Sequence, residues 1–323
     1  MQSAAATAHP NIALIKYWGD RDPLLKIPAN GSISMNLDGL NTTTRVIFNP
    51  VLREDHLILN GEELQGPGLV RVSRFLDHVR LLAGLGTFAE VISDNNFPTG
   101  AGMASSASAF AALSLAASKA AGLSLDERAC SRLARRGSGS ASRSVPGGYV
   151  EWYAGNNDDD SYAASFASPE NWALVDCIAV VSGGHKSISS QQGHALAGSS
   201  PYQIVRVADA PRRLALCRQA ILNRDFTALA DIVEADSQMM HAVMMTSNPS
   251  LLYWEPATVR LIKQVPQWRA EGLQACFTVD AGPNVHIICP ASQAQTINDL
   301  LKQQEGVLQV LCSGVGSKAS LVE

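Results

Sequence analysis

Pro98-Thr-Gly-Ala-Gly-Met-Ala-Ser-Ser-Ala-Ser108 runs without a break into an alanine-rich stretch ending at Ala121. The Gly/Pro part cannot be a regular element, whereas AFAALSLAASKAA (109–121) is built from strong helix formers. That helix is apolar nearly all round and is therefore expected to be buried. Glycines let a backbone come close to an anion, and a helix N-terminus offers free N–H groups and the positive end of the dipole. Ser105 and Ser106 add hydroxyls able to hold a phosphate oxygen or Mg²⁺. No Lys follows the glycines, so this is not the G-x-x-x-x-G-K-[ST] loop. Taken alone, the segment also fits a small-residue loop capping a buried helix.

Before this segment the chain reads as short strands: NIALIKYW (11–18), TTTRVIF (42–48), DHLILN (55–60) and FAEVISD (88–94), apolar or β-branched runs broken by Gly, Pro, Asn and Asp. After it, a second helix is predicted from Leu125 to about Arg136, then strands over 149–155 and 172–182. The helical period dominates from Pro211, with helices over 212–222, 226–244 and 255–265. Strands over 276–282, 284–290 and 307–314 surround a helix from about Ser292 to Lys302. Strands followed by helices in each half predict an α+β fold, with domains over 1–190 and 191–323.

The 323 residues suggest two domains at about 150 residues each. Hydrophobic residues make up 46% and charged residues 17%, a globular balance, and the net charge of −4 does not suggest a nucleic-acid groove. No apolar run approaches the roughly 20 residues of a membrane span. The N-terminus lacks the pattern of a secretion signal. The six cysteines form no C-x-x-C pair and sit mostly in apolar context, so they are expected to be small buried hydrophobes in a cytoplasmic protein.

From context alone several residues have ordinary explanations. Asp280, after an apolar strand and before Gly-Pro, reads as a turn residue. Arg143 reads as a solvated charge and Lys16 as an edge-strand lysine reaching water. His185, His194 and His286 share no metal spacing, and the Met239-Met240 and Met244-Met245 pairs read as core packing.

The pattern Pro98-x-x-x-Gly102-Met-x-Ser105-Ser106-Ala resembles the phosphate loop of the GHMP kinase superfamily. Four further segments are similar to its mevalonate diphosphate decarboxylase branch: Asn11 to Gly19, Gly137 to Ser144 with Gly147-Gly148 and Glu151-Trp152, Met244 to Trp254, and Phe277 to Asn284. The resemblance spans nearly the whole chain. It implies the superfamily's two-domain α+β fold with the active site in the cleft between domains, and a homodimer. It implies ATP at Pro98, Gly100, Gly102, Ser105, Ser106 and Ser108, with Mg²⁺ at Ser106. Asp280 then matches the aspartate that orients or accepts the proton of a tertiary hydroxyl and stabilises the cationic centre left when phosphate departs. Arg143 would grip the substrate carboxylate. Ser138, Gly139 and Ser140 would hold the distal phosphate, with Ser190 near it. Asn11, Lys16 and Tyr17 would line the same pocket, Lys16 using its charge on the reacting oxygens.

Two positions depart from that branch. It usually reads K-Y-W-G-K, whereas this chain has Lys16-Tyr-Trp-Gly-Asp20, and a later basic contact is replaced by Gln191. A carboxylate ~4 Å from a phosphate costs roughly 1 kcal/mol in water and about 4 kcal/mol at an effective dielectric near 20. A diphosphate would be held poorly unless Arg21, Arg135 or Lys186 moved in, while a monophosphate needs fewer donors. The expectation is therefore an ATP-dependent decarboxylase of 5-phosphomevalonate, the diphosphate being the alternative. The related mevalonate 3-kinase lacks the aspartate that this chain keeps. A kinase that stops at phosphoryl transfer, and a non-catalytic metabolite-binding member of the fold, complete the competing readings. No nucleic-acid or membrane partner is expected.

Overall fold

A computed structural model describes residues 2–97, 105–183 and 188–322. Its first layer is a six-stranded sheet in the order Ser320–Val322, Gln2–Ala8, Thr42–Phe48, Ala89–Asn95, His56–Leu59, Glu62–Leu64. Thr42–Phe48 shows why these residues make a strand. Thr42, Thr44, Val46 and Phe48 are buried while the residues between them are less so, the period of two that a half-covered sheet demands. The covering element is the alanine-rich helix, Ser105–Ala120, whose Ala111, Ala112, Ala116 and Ala117 pack on Ala6, Ala8, Val46 and Phe48 in one cluster. Small side chains let it lie close to the sheet.

A four-stranded sheet, Ala163–Ala167, Tyr149–Trp152, Ser32–Asn36, Asn11–Ile15, completes the first half. The second half carries the sheet Cys276–Val279, Val285–Pro290, Leu174–Val180, Gln309–Gly314. Ile12, Leu14, Ile33 and Met35 of one sheet share a core with Ile178 and Ile288 of the other. Cys217, Ile221, Leu229 and Val233, from the helices Gln203–Asn223 and Phe226–Met245, belong to the same core. The helices Pro256–Ala270 and Ala294–Lys302 contribute Leu261, Val265, Ile297 and Leu301 to a separate core with Phe277, Ile287 and Cys289. Among the described residues, no helix is long and apolar enough to cross a membrane.

The expected α+β class holds, but the bounds of two helices and the burial of one cysteine differ from expectation. Leu174–Val180 is hydrogen-bonded between two strands of the second half, and Ser320–Val322 returns to the first sheet. The sheets therefore part between Ala167 and Leu174, because a strand belongs to whichever sheet satisfies its backbone groups. Proline did not delimit the helices: Gln203–Asn223 starts well before Pro211, and Pro256–Ala270 continues through Pro266. Tertiary burial of Arg206, Ala210 and Arg213 on both sides of Pro211 outweighs the lost backbone bond. Five cysteines are buried as expected, but Cys312 is exposed.

The helix Glu127–Gly137 leads directly into the serine-rich turn of the pocket. Asp126 caps its N-terminus by accepting from Ala129 N. At its other end Gly137 lies against Phe110, whose ring a Cβ there would meet at 2.0 Å, and Arg71 donates to the Gly137 carbonyl from Nε and Nη2 at 3.1 and 2.8 Å. Gly137→Ala is expected to cost about 1–3 kcal/mol through overpacking. The check is the urea midpoint, and an unchanged midpoint would show that Phe110 moves aside freely.

Candidate active site

The pocket is assembled around one strand. Asn11–Ile15 runs buried through its sheet, and the chain leaves it as Lys16-Tyr17-Trp18. Lys16 is almost fully buried, which an unpaired ammonium could not tolerate. Its backbone N–H donates to Asp236 Oδ2 at 2.6 Å, and its carbonyl accepts from Arg206 Nη2 at 2.7 Å and Asn30 Nδ2 at 3.0 Å. Asp236 Oδ1 in turn accepts from Arg213 Nε at 2.7 Å. Two helices of the second half thus hold a peptide of the first. The Lys16 side chain then reaches the strand end after Cys276–Val279, where Nζ lies 2.5 Å from Asp280 Oδ1.

Asp280 is placed by its neighbour. Val279 N donates to Ser237 Oγ at 2.9 Å, and the Val279 carbonyl lies 3.2 Å from His241 Nε2, so the helix Phe226–Met245 fixes the strand end. His241 is buried against Trp254, and burial first, then the Lys16 charge, lowers its pKa to about 4. The neutral ring donates from Nε2 to that carbonyl.

Arg143 lies on the short 3₁₀ turn Gly139–Ser144 and is also buried. Its Nε and Nη2 donate to Asn11 Oδ1 at 3.2 and 3.1 Å, and Nη1 donates to Ser32 Oγ at 2.7 Å. One further N–H on each terminal nitrogen is left for a ligand. Asn11 is oriented by donating to Ser144 Oγ at 2.8 Å and the Ser140 carbonyl at 3.1 Å. Burial lowers the Arg143 pKa to about 10, with Asp280 and Tyr17 opposing the shift, so the guanidinium stays charged near neutral pH.

A row of hydroxyls leads away from Arg143. Ser106 Oγ is 3.2 Å from Ser138 Oγ, which is 3.4 Å from Ser140 Oγ. The expected phosphate helix and the expected substrate turn therefore meet. Gly139 is required here, since a Cβ would lie 2.7 Å from Tyr17 Cε1. Tyr17 stacks on His194 with ring centroids 4.1 Å apart and meets Trp152 edge-on. Its hydroxyl donates to Asp20 Oδ1, and Asp20 Oδ2 accepts from Lys26 Nζ at 3.1 Å. Burial, then the Asp20 charge, raises the Tyr17 pKa well above its ordinary value.

The structure thus brings together Asn11, Lys16, Tyr17, Ser106, Ser138, Gly139, Ser140, Arg143 and Asp280. Lys16 differs in detail from expectation, its ammonium resting on Asp280. Ser105 is partly buried at the head of the helix, and its carbonyl accepts from Ser108 Oγ at 3.2 Å. One turn further along, Ser108 is buried and paired with Thr42 Oγ1 at 2.7 Å. Pro98, Gly100, Gly102 and Lys186 lie outside the described residues. Ser190 is exposed at the first turn of Ser190–Leu196, a helix that rests on Trp18 through Gly193. Among the described residues, no hydrogen bond joins Ser190 to those brought together above. Arg21 donates to the Gly155 carbonyl, and Arg135 donates to Asp158 from Nη2. Sequence reasoning missed Ser32, Arg206, Arg213, Asp236 and His241. The seven-residue spacing of Arg206 and Arg213 was the available sign that both share one helix face.

Family models match in two pieces, the diphosphomevalonate decarboxylase-like N-terminal domain over residues 8–163 and the mevalonate 5-diphosphate decarboxylase C-terminal domain over 177–312. The diphosphomevalonate decarboxylase of Candida albicans is 37% identical over 324 residues, covering 95% of this chain and 89% of that one. The phosphomevalonate decarboxylase of Haloferax volcanii is 35% identical over 286 residues, covering 88% and 87%. A solved structure concerned with mevalonate diphosphate-mediated ATP binding by the mevalonate diphosphate decarboxylase of Enterococcus faecalis superposes with a TM-score of 0.93 at 36% identity. It covers 100% of this chain and 99% of that one.

Two buried histidines make stability depend on pH. His194 accepts from Gly19 N at 3.0 Å, and burial, then nearby Lys26, Arg206 and Arg143, lowers its pKa to about 3. Both His194 and His241 are neutral when folded, while an unfolded histidine titrates near ~6.5. Stability is therefore full above ~6.5 and falls as the pH drops toward the folded values, by on the order of 1–2 kcal/mol per histidine at pH 5. Urea midpoints between pH 7 and 5 should show this fall, and His241→Gln should reduce its slope. Equal slopes in the two proteins would exclude His241 as a source.

Proposed function

This chain belongs to the diphosphomevalonate decarboxylase family and is an ATP-dependent decarboxylase of a phosphorylated mevalonate; within the family we propose mevalonate 5-phosphate as its substrate. The products are then isopentenyl phosphate, ADP, phosphate and CO₂. The observation that carries this reading is Asp20, held by Tyr17 and Lys26 where the branch usually has a lysine. Tyr17 has one hydroxyl proton and gives it to Asp20, leaving only an acceptor toward a ligand. Lys26 balances the Asp20 charge, so this end of the pocket offers little net attraction to a second phosphate. The relative from Haloferax volcanii is named phosphomevalonate decarboxylase, which supports this reading.

The remaining residues supply the chemistry. Asp280 orients the tertiary hydroxyl for phosphorylation, and Lys16 holds that carboxylate in place. Arg143 presents its two free N–H groups to the substrate carboxylate, so CO₂ departs from a fixed geometry. Asp280 also faces the positive charge that develops at the tertiary carbon as phosphate leaves. Ser138, Gly139 and Ser140 hold the 5-phosphate. ATP supplies the γ-phosphoryl group, and Mg²⁺ offsets its charge. The hydroxyls of Ser106 and Ser138 beside a helix N-terminus fit a phosphate. Among the described residues no three His, Cys, Asp or Glu side chains converge on one point. That donor set suits Mg²⁺ held by phosphate oxygens and water, with one hydroxyl from Ser106. We retain the homodimer expected from the resemblance.

Asp280→Asn keeps the shape and removes the charge. Its kcat should fall at least ~10²-fold with the fold intact, and near-normal CO₂ release from the variant would remove Asp280 from the mechanism. ADP release measured with mevalonate, its 5-phosphate and its 5-diphosphate should favour the 5-phosphate. Asp20→Lys combined with Gln191→Arg should shift kcat/KM toward the diphosphate by roughly 5- to 150-fold, or about 1–3 kcal/mol, and added salt should shrink that gain. A wild-type preference for the diphosphate would overturn the monophosphate reading.

A further inference from the structure

Arg135 stands on the last turn of Glu127–Gly137, three residues ahead of Ser138, and has no exposed surface. Its Nη2 donates to Asp158 Oδ1 in the loop 155–160, while Nε and Nη1 have no partner among the described residues. Three N–H groups on a buried guanidinium are thus unused, a state that a protein rarely leaves without a ligand or water.

The surroundings favour an anion. Arg132 Nη2 lies 2.7 Å from Asp158 Oδ2 and 2.5 Å from Asp159 Oδ1, and Arg136 Nη1 is 3.8 Å from Asp158 Oδ1. Three guanidiniums therefore share two carboxylates, and the Nε of Arg136 is also buried without a partner. The positive charge of Arg135 reaches the Tyr17 phenol, whose ring lies against Gly139 of the substrate turn. That turn also carries Ser138 and Ser140, with Ser138 Oγ 3.2 Å from Ser106 Oγ and 3.4 Å from Ser140 Oγ.

We infer that Arg135 is a phosphate-binding residue of the substrate pocket, receiving the phosphomonoester of the substrate, and that Asp158 is its positioning residue. The inference builds on the proposed monophosphate substrate but is tested separately from it. A guanidinium held at one nitrogen by Asp158 presents its other edge as a planar fork, which matches two oxygens of one phosphate. A lysine there would keep the charge and lose the fork. Asp158 fixes which edge is presented, and its neighbours Arg132 and Arg136 keep the carboxylate from cancelling the positive charge.

The test uses the full chain and inorganic phosphate as the probe, measured as the inhibition constant against 5-phosphomevalonate. Arg135→Lys should weaken phosphate inhibition and raise KM for 5-phosphomevalonate about 10-fold each, with kcat changed less than ~3-fold. Asp158→Asn keeps Arg135 but loosens it, and should weaken phosphate inhibition about 3-fold. Wild-type values of both the inhibition constant and KM in a folded Arg135→Lys protein overturn the inference. Should that variant fail to fold, an unchanged phosphate inhibition constant in Asp158→Asn overturns it instead. Tighter inhibition of the wild type by pyrophosphate than by phosphate, still weakened by Arg135→Lys, sustains the inference and refutes the monophosphate reading.

Discussion

The peptide of Lys16 is where the two halves of the protein hold one another. Asp236, Arg206 and Asn30 take its N–H and its carbonyl, and Arg213 completes the charge balance on Asp236. All four charged or polar partners are buried, so the interaction is not a surface ion pair of little consequence. Its net contribution against an apolar replacement is small, because desolvation offsets the attraction. Removing one partner would leave uncompensated buried charge, at a cost of about 3–5 kcal/mol. The network therefore acts mainly on register. It sets where the strand Asn11–Ile15 ends and so where the Lys16 ammonium emerges.

The catalytic geometry follows from that register. With the Lys16 backbone held, Nζ meets Asp280 across the cleft, and Asp280 is itself held through Val279 by Ser237 and His241. The helix Phe226–Met245 carries Asp236, Ser237 and His241, so one rigid element positions both members of the Lys16–Asp280 pair. Arg143 is fixed independently through Asn11 and Ser32 on two adjacent strands. Side chains locked by packing and hydrogen bonds are what a decarboxylation needs, since the departing CO₂ and phosphate must be aligned with little freedom.

Charge distribution along the pocket gives it direction. Arg143, Ser138 and Ser140 lie on and beside one turn, while Asp20 accepts from Tyr17 and is neutralised by Lys26. The loop 155–160 holds two further cations, Arg21 at the Gly155 carbonyl and Arg132 at Asp158. Burial amplifies each of these contacts, because a low local dielectric strengthens paired charges and penalises unpaired ones.

The amino-acid sequence by itself determined the elements whose pattern is local. The period of two in Thr42–Phe48 and the alanine-rich composition of Ser105–Ala120 each specify a conformation and a buried face. The five family motifs pointed to Asn11, Lys16, Arg143 and Asp280, and the fold joins Asn11 to Arg143 and Lys16 to Asp280. Tertiary structure alone decided the rest. Arg206 and Arg213 read as ordinary helical charges until Asp236 and the Lys16 peptide are placed against them. Ser108 sits within the phosphate motif, but one helical turn rotates it onto Thr42. Pro211 ends no helix because the burial on either side of it exceeds the loss of one backbone bond. Leu174–Val180 belongs to the second sheet because its partners lie more than a hundred residues ahead, a pairing that no local pattern contains. Contacts between distant segments depend on how whole elements pack, and that information appears only when the chain is folded.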